Sequence, residues 1–171
     1  MYEARKVTNL LLSRFDAQEN ELTNMKIQKL LYFIQGWSTL RYKNGLIRNH
    51  FEAWSHGPVI PSLYESLKSY GNRPVLSLLS HMDYSSGAES IIGYDNILEA
   101  HKLFCLSIAG KYCKKSASKL RRLSHELDGP WDRTLRECDA GVLQSRRIPY
   151  ALIKAHFSSK IGENITLGQL Q

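Results

Sequence analysis

Residues 24–37 read NMKIQKLLYFIQGW. Ile27, Leu30, Ile34 and Trp37 recur at three- and four-residue spacing, which puts them on one stripe of a helix. Met25 and Phe33, with Leu40 further on, add apolar surface on other sides. A helix that is apolar around much of its circumference belongs in the centre of a fold. The pattern predicts a helix over 24–43. Thr23 or Asn24 can cap its start, because a short side-chain oxygen accepts from the first free N–H groups. Asn44-Gly45 supplies a stop, since glycine takes the left-handed conformation common after a helix.

Working outward, Ala4, Val7, Leu11 and Phe15 share one face and predict a helix over 2–18. Residues 51–54 read as a short strand or extended segment. Pro58 and Pro61 suit the approach to a helix over 61–70. Ser62 with Glu65 resembles a capping box there, and Gly71 closes it. Residues 72–96, rich in Ser with Pro74, Gly87 and Gly93, read as a loop with one hairpin, with short strands at 75–79 and 91–92. Ile97, His101, Phe104, Cys105, Ile108 and Tyr112 restore the helical period. Ser116 can cap a shorter helix running to about 126. Asp128-Gly129-Pro130 breaks the chain, and 131–138 reads as one or two helical turns. Tyr150, Ile153 and Phe157 are in register for a final helix over 149–157. The expected fold is mainly α: a compact bundle of about five to six helices with a short β-hairpin or extended segments. The expected organisation is one domain over 1–171, with its core at about 22–157 and a loose tail from 158.

The 171 residues are 43% hydrophobic and 23% charged, average for a globular chain and against wholesale disorder. No apolar run approaches the roughly 20 residues that span a bilayer. The opening MYEARKV lacks the apolar stretch of a signal peptide. A cytoplasmic location and no membrane partner are therefore expected. Cys105, Cys113 and Cys138 are odd in number and irregular in spacing, which reads as free thiols rather than a disulfide framework. The net charge is +7, and its placement matters more than its size. No acidic residue lies between Glu99 and Glu126, a segment that holds Lys102, Lys111, Lys114, Lys115, Lys119, Arg121 and Arg122. The other 16 basic residues match the 16 acidic ones, so these seven carry the whole excess. Such a segment attracts acidic protein surfaces or nucleic acid.

Motifs of chemistry are missing. The scattered glycines form neither dinucleotide nor P-loop patterns. The six histidines include no i, i+4 pair for a metal. His125 beside Glu126 reads as a structural hydrogen-bonder rather than a general base. No catalytic residue, cofactor or metal is expected.

Two blocks of text carry a resemblance. The first joins NMKIQKLLYFIQGW to FEAWSHGPVIPSLYESLKSYG and places Lys29, Leu30, Leu31, Tyr32, Gln35, Gly36 and Trp37 ahead of Glu52, Ala53, Trp54, Gly57, Pro58, Val59, Leu63, Tyr64, Tyr70 and Gly71. The second places Ser124 and His125 ahead of Pro130 and Trp131. The C-terminal IPYALIKAHF extends the likeness to Phe157. In these residues the chain resembles the Panacea-domain antitoxin family. The likeness spans most of 22–157, apart from 72–96. The spacing from His125 to Pro130 is slightly longer than the family pattern.

The resemblance implies a non-enzymatic antitoxin that neutralises a toxin from a neighbouring gene by direct contact, or delivers it to a protease. A nucleic-acid-binding transcriptional regulator and a phage or prophage accessory protein are the alternatives. Aromatic anchors and glycines at these positions suit a scaffold. Lys29, Glu52 and His125 are the polar candidates for an internal network or a partner contact. Lys111, Lys114, Lys115, Lys119, Arg121 and Arg122 form the candidate basic binding patch, through which nucleic acid is a second class of partner.

Overall fold

The structure is a computed structural model and describes residues 1–143 and 145–160. Seven α-helices and two antiparallel hairpins appear among the described residues. In chain order the elements are α1 (Ala4–Leu12), α2 (Asn24–Arg41), β1 (Glu52–Trp54), β2 (Gly57–Val59), α3 (Pro61–Leu67) with a 3-10 turn (Lys68–Tyr70), β3 (Ser80–Met82), β4 (Glu89–Ile91), α4 (Glu99–Cys113), α5 (Ala117–Ser124), α6 (Pro130–Asp139) and α7 (Tyr150–Ser159).

Helix α2 is the axis of the fold. It is buried from Lys26 through Thr39, and α1, α3, α4, α5 and α7 all pack on it. The Thr23 side chain caps it by accepting from the Lys26 N–H. Gly36 lets α7 approach. A Cβ there would stand 2.1 Å from the Phe157 ring. Around that contact, Tyr32 meets Phe51 and Phe157 edge-on, and Trp37 meets Phe157 at 82°. The Trp37 Nε1–H is satisfied by the Tyr112 hydroxyl at 2.9 Å, as a buried indole requires. Gln35 Oε1 accepts from the backbone N–H groups of Leu46 and Ile47. That clamp folds the chain back after α2, where Gly45 takes a φ of +69°.

Several expectations need correction. Among the described residues the helices number seven rather than five or six, because α6 is a full ten-residue helix where one or two turns were predicted. Pro130 sits at its first turn, where the missing N–H costs nothing. The short β-hairpin or extended segments expected beside the helices are two small antiparallel sheets among the described residues. Helix α1 ends at Leu12, not near 18, and the Asp16 carboxylate accepts from the Gln18 and Glu19 N–H groups to form a turn instead. The Ser62–Glu65 capping box does not form: Ile60 is the N-cap, Ser62 accepts from Asn49, and Glu65 pairs with Lys68. The strand expected at 75–79 lies at Ser80–Met82. Ser116 does cap α5, accepting from the Lys119 N–H. From residue 161 the expected loose tail lies outside the described residues. No helix among the described residues is long and apolar enough to cross a membrane.

Residues 57–59 form a strand rather than only a turn into α3. Glu52 pairs with Val59, Ala53 with Pro58 and Trp54 with Gly57. The Ala53 N–H points away from this partner and donates to the Arg146 carbonyl at 2.8 Å. Ala53 and Pro58 are therefore a non-hydrogen-bonded pair, the place in an antiparallel ladder where a proline removes nothing. The Ile148 N–H donates to the Phe51 carbonyl, so residues 146–148 line the other edge of β1.

Candidate functional site

The two motif blocks meet at the β1–β2 hairpin. Lys29, from the middle of α2, is wholly buried, and its Nζ donates to the Pro58 carbonyl at 2.8 Å. His125, at the end of α5, stacks on Trp131 with ring centroids 3.6 Å apart and planes 19° from parallel. The Trp131 Nε1–H donates to the Trp54 carbonyl at 2.8 Å. A Cβ on Gly57 would lie 2.9 Å from both Lys29 Nζ and His125 Nε2. Gly57, at a φ of +99°, is thus where the backbone of the hairpin touches both polar side chains.

Both groups are held near neutrality. Burial lowers Lys29 to about 7, and the Arg121 charge pushes the same way. Burial lowers His125 to about 4, with Arg121 and then Lys29 adding to it, while a hydrogen bond to the His56 backbone works in the opposite direction. An unpaired cation taken out of water sheds its proton sooner than keep its charge. His125 Nε2 is buried and has no hydrogen-bond partner among the described residues. Lys29 ties down the hairpin backbone at Pro58, and the unpartnered His125 Nε2 lies against the inside of the same tight turn.

Glu52 is not part of this pair. Its Oε2 accepts from Trp54 Nε1 at 2.8 Å, and its Oε1 lies 3.3 Å from His50 Nε2. Trp54 and Tyr64 face each other with ring centroids 5.1 Å apart. They border a pocket of about 340 Å³ that Met25, Gln28, Lys29 and His56 also line. Gly71 closes the turn after α3 at a φ of +58°, and its Cα faces open space.

The family described as antitoxin SocA-like, Panacea domain, matches residues 27–132. The chain belongs to that family. Antitoxin SocA of Caulobacter vibrioides (strain NA1000 / CB15N) is 33% identical over 132 residues, which cover 76% of this chain and 69% of that protein. No solved structure matches the chain. Membership in the SocA-like antitoxin family supports an antitoxin role, a regulatory rather than an enzymatic one.

Within this Panacea-family chain, the basic candidates lie on the end of α4, the junction after it, and α5. Lys111, Lys114, Lys115, Lys119, Arg121 and Arg122 are all exposed. No ion pair engages any of them among the described residues. Leu120 and Ser124 face inward on α5, so Lys119, Arg121 and Arg122 spread over its outer side. Arg121 reaches back to the Ser55 carbonyl at 3.4 Å, and Ser55 also borders the 340 Å³ pocket.

Gln28 went unremarked in the sequence. Its Oε1 accepts from the Ile60 N–H, and its Nε2 donates to Asn24. Its place beside Ile27 on a helix buried along its length is the signal that marks it.

Proposed function

We propose that the protein is an antitoxin that neutralises a partner toxin from a neighbouring gene by direct protein–protein contact. The observation that carries this reading is the family match over residues 27–132 together with the relative named antitoxin SocA. The whole chain acts as one Panacea-like domain, because α7, beyond the matched span, packs on the central helix α2.

The surface best suited to the contact joins the Trp54–Tyr64 pocket to the outer side of α5 through Arg121 and Ser55. Aromatic residues around a concavity are the common anchors of interfaces. Uncompensated positive charge beside them steers an acidic partner and speeds its association. The motif residues Lys29, Tyr32, Gln35, Gly36, Trp37, Glu52, Gly57, Pro58, Gly71, His125, Pro130 and Trp131 serve the contact from beneath, by holding the hairpin and helices in place. Occlusion of the toxin is the mechanism; delivery of the bound toxin to a protease is a refinement of the same contact.

Co-purification of the tagged protein from cells that carry its native gene neighbourhood tests the reading. A stoichiometric product of the adjacent gene is expected. That product should arrest growth when expressed alone, and co-expression of the present chain should relieve the arrest. An adjacent product that does not arrest growth, or arrest without relief, overturns it.

The exposed basic run favours one second reading, a nucleic-acid-binding regulator. It predicts binding of the protein's own promoter DNA that falls steeply with salt. Neutralising Lys114, Lys115, Lys119, Arg121 and Arg122 should abolish it. No shift of that DNA at low salt rules it out.

A further inference from the structure

A second concavity, of about 390 Å³, lies between the chain after α2 and the start of α7. Its size is within the range of small-molecule sites. Phe51, Ile148 and Ile153 contribute apolar wall, and Arg48 and Arg147 bring positive charge.

Both arginines project from backbone that is fixed on each side. The Tyr2 N–H donates to the Leu46 carbonyl at 2.7 Å, and the Arg48 N–H donates to the Tyr2 carbonyl at 2.8 Å. Arg147 stands between Arg146, whose carbonyl takes the Ala53 N–H, and Ile148, whose N–H bonds to Phe51. Neither guanidinium has an ion-pair partner among the described residues. Glu52, on the adjoining strand, has its two oxygens engaged by His50 and Trp54. Tyr150 adds an aromatic wall, held by its hydroxyl, which donates to the Lys43 carbonyl at 3.1 Å.

We infer that this concavity binds a small organic anion: an aromatic phosphate of about mononucleotide size, its phosphate between Arg48 and Arg147 and its ring on the apolar wall. A guanidinium offers parallel N–H donors that match phosphate oxygens two at a time. Two of them on anchored backbone, with no ion pair of their own to give up, can both turn to one phosphate. Aromatic and aliphatic wall beside that charge favours a ligand with a ring over a bare ion. An extended polyanion would instead meet the run of charge on α4 and α5. The inference is independent of any toxin.

Isothermal titration of the full chain at low salt, with AMP, phenyl phosphate and inorganic phosphate as probes, tests it. Saturable one-to-one binding of AMP is expected, with inorganic phosphate about tenfold weaker or more. Arg48→Ala combined with Arg147→Ala should weaken AMP about tenfold or more, as loss of charge-assisted hydrogen bonds does. Both side chains are exposed, so this variant should keep the wild-type melting temperature. Lys119→Ala with Arg122→Ala should bind AMP as wild type does. Three results overturn the inference: no saturable binding of AMP or phenyl phosphate, equal affinity for inorganic phosphate, or an unchanged affinity in the double arginine variant. The first would leave the two arginines to an acidic protein surface.

Discussion

The two hairpins among the described residues have strands of equal length in opposite surroundings. Strands β1 and β2 pair three residues with three, and so do β3 and β4. In the first, Ala53 and all of Gly57–Val59 are buried. In the second, every residue from 81 to 91 is exposed, Tyr84 at 94%. An isolated two-stranded hairpin is marginal in water, so pairing alone explains neither. The first is held from below by α2, α5 and α6, through Lys29, His125 and Trp131. The second is held at its base by the buried Leu79 and Ile92 and the Asn9 side chain, and at its tip by local turn chemistry. Asn9, buried on α1, donates to the Leu79 and Ile92 carbonyls and accepts from the Leu79 N–H. At the tip, Asp83 accepts from the Ser85 N–H and hydroxyl, and these bonds hold its carboxyl down to about 2.

Each hairpin contains a glycine with positive φ, which gives the sharpest contrast. Gly57→Ala forces a left-handed backbone on a residue with a Cβ and drives that Cβ into Lys29 and His125 at 2.9 Å. Strain and overpacking together should cost about 4 kcal/mol. Gly87→Ala meets the same backbone penalty, at a φ of +69°, but nothing lies within 4 Å. Its cost should be about 1 kcal/mol. Urea denaturation of the two variants measures both. Equal losses would mean that the contacts beneath the first hairpin contribute nothing.

Asn9→Leu addresses the second hairpin from its anchor. It strips hydrogen bonds from both buried ends, worth about 3 kcal/mol if the ends stay buried. The outcome expected is local. Amide exchange over 80–91 should rise toward that of a free loop while α2 keeps its protection. Equal acceleration in both places would show that the outer hairpin is part of the core's cooperative unit.

The same contrast explains what the sequence made legible. Helix α2 was readable because Ile27, Leu30, Ile34 and Trp37 repeat at helical spacing around an axis buried on all sides. The cap at Ser116 was readable and that at Thr23 was narrowed to Thr23 or Asn24, because a short side-chain oxygen beside a helix start can accept from its free N–H groups. Pro58 was read only as part of the approach to a helix, yet it lies in strand β2. Whether a proline sits in a ladder depends on which edge of the opposing residue points at it, and that edge is set by Arg146, some 90 residues away. Strand β3 was placed too early because 75–79 is the more apolar stretch, yet Val75 donates its N–H to Leu22 rather than to a strand. Asn9 was passed over for the same reason: its partners lie 70 and 83 residues away. The chemistry of the site was half visible. Lys29, Trp54, His125 and Trp131 stood out by residue type, but their meeting at Gly57 is a product of the fold.

Lys29 yields a smaller effect that is specific to the buried hairpin. Its folded-state value is about 7, below the ordinary 10.5. Between those values the unfolded chain binds a proton that the folded chain does not, so stability rises with pH. From pH 7 to pH 9 the gain should be on the order of 2 kcal/mol, at a limiting slope of about 1.4 kcal/mol per pH unit. Lys26, also lowered by burial, adds to the rise as its unfolded form titrates. Above about pH 9 the buried thiol of Cys105, pushed up to about 12, opposes it, because the unfolded thiol ionises first. Lys29→Met keeps most of the volume and removes the titrating group. Its stability curve should therefore be flatter than wild type between pH 7 and 9, and the difference between the two curves isolates Lys29. His81→Asn on the exposed hairpin is the control and should leave the wild-type slope in place. Parallel curves for wild type and Lys29→Met would show that the amine keeps its charge under the hairpin. Its bond to the Pro58 carbonyl would then be an ammonium contact strong enough to offset burial.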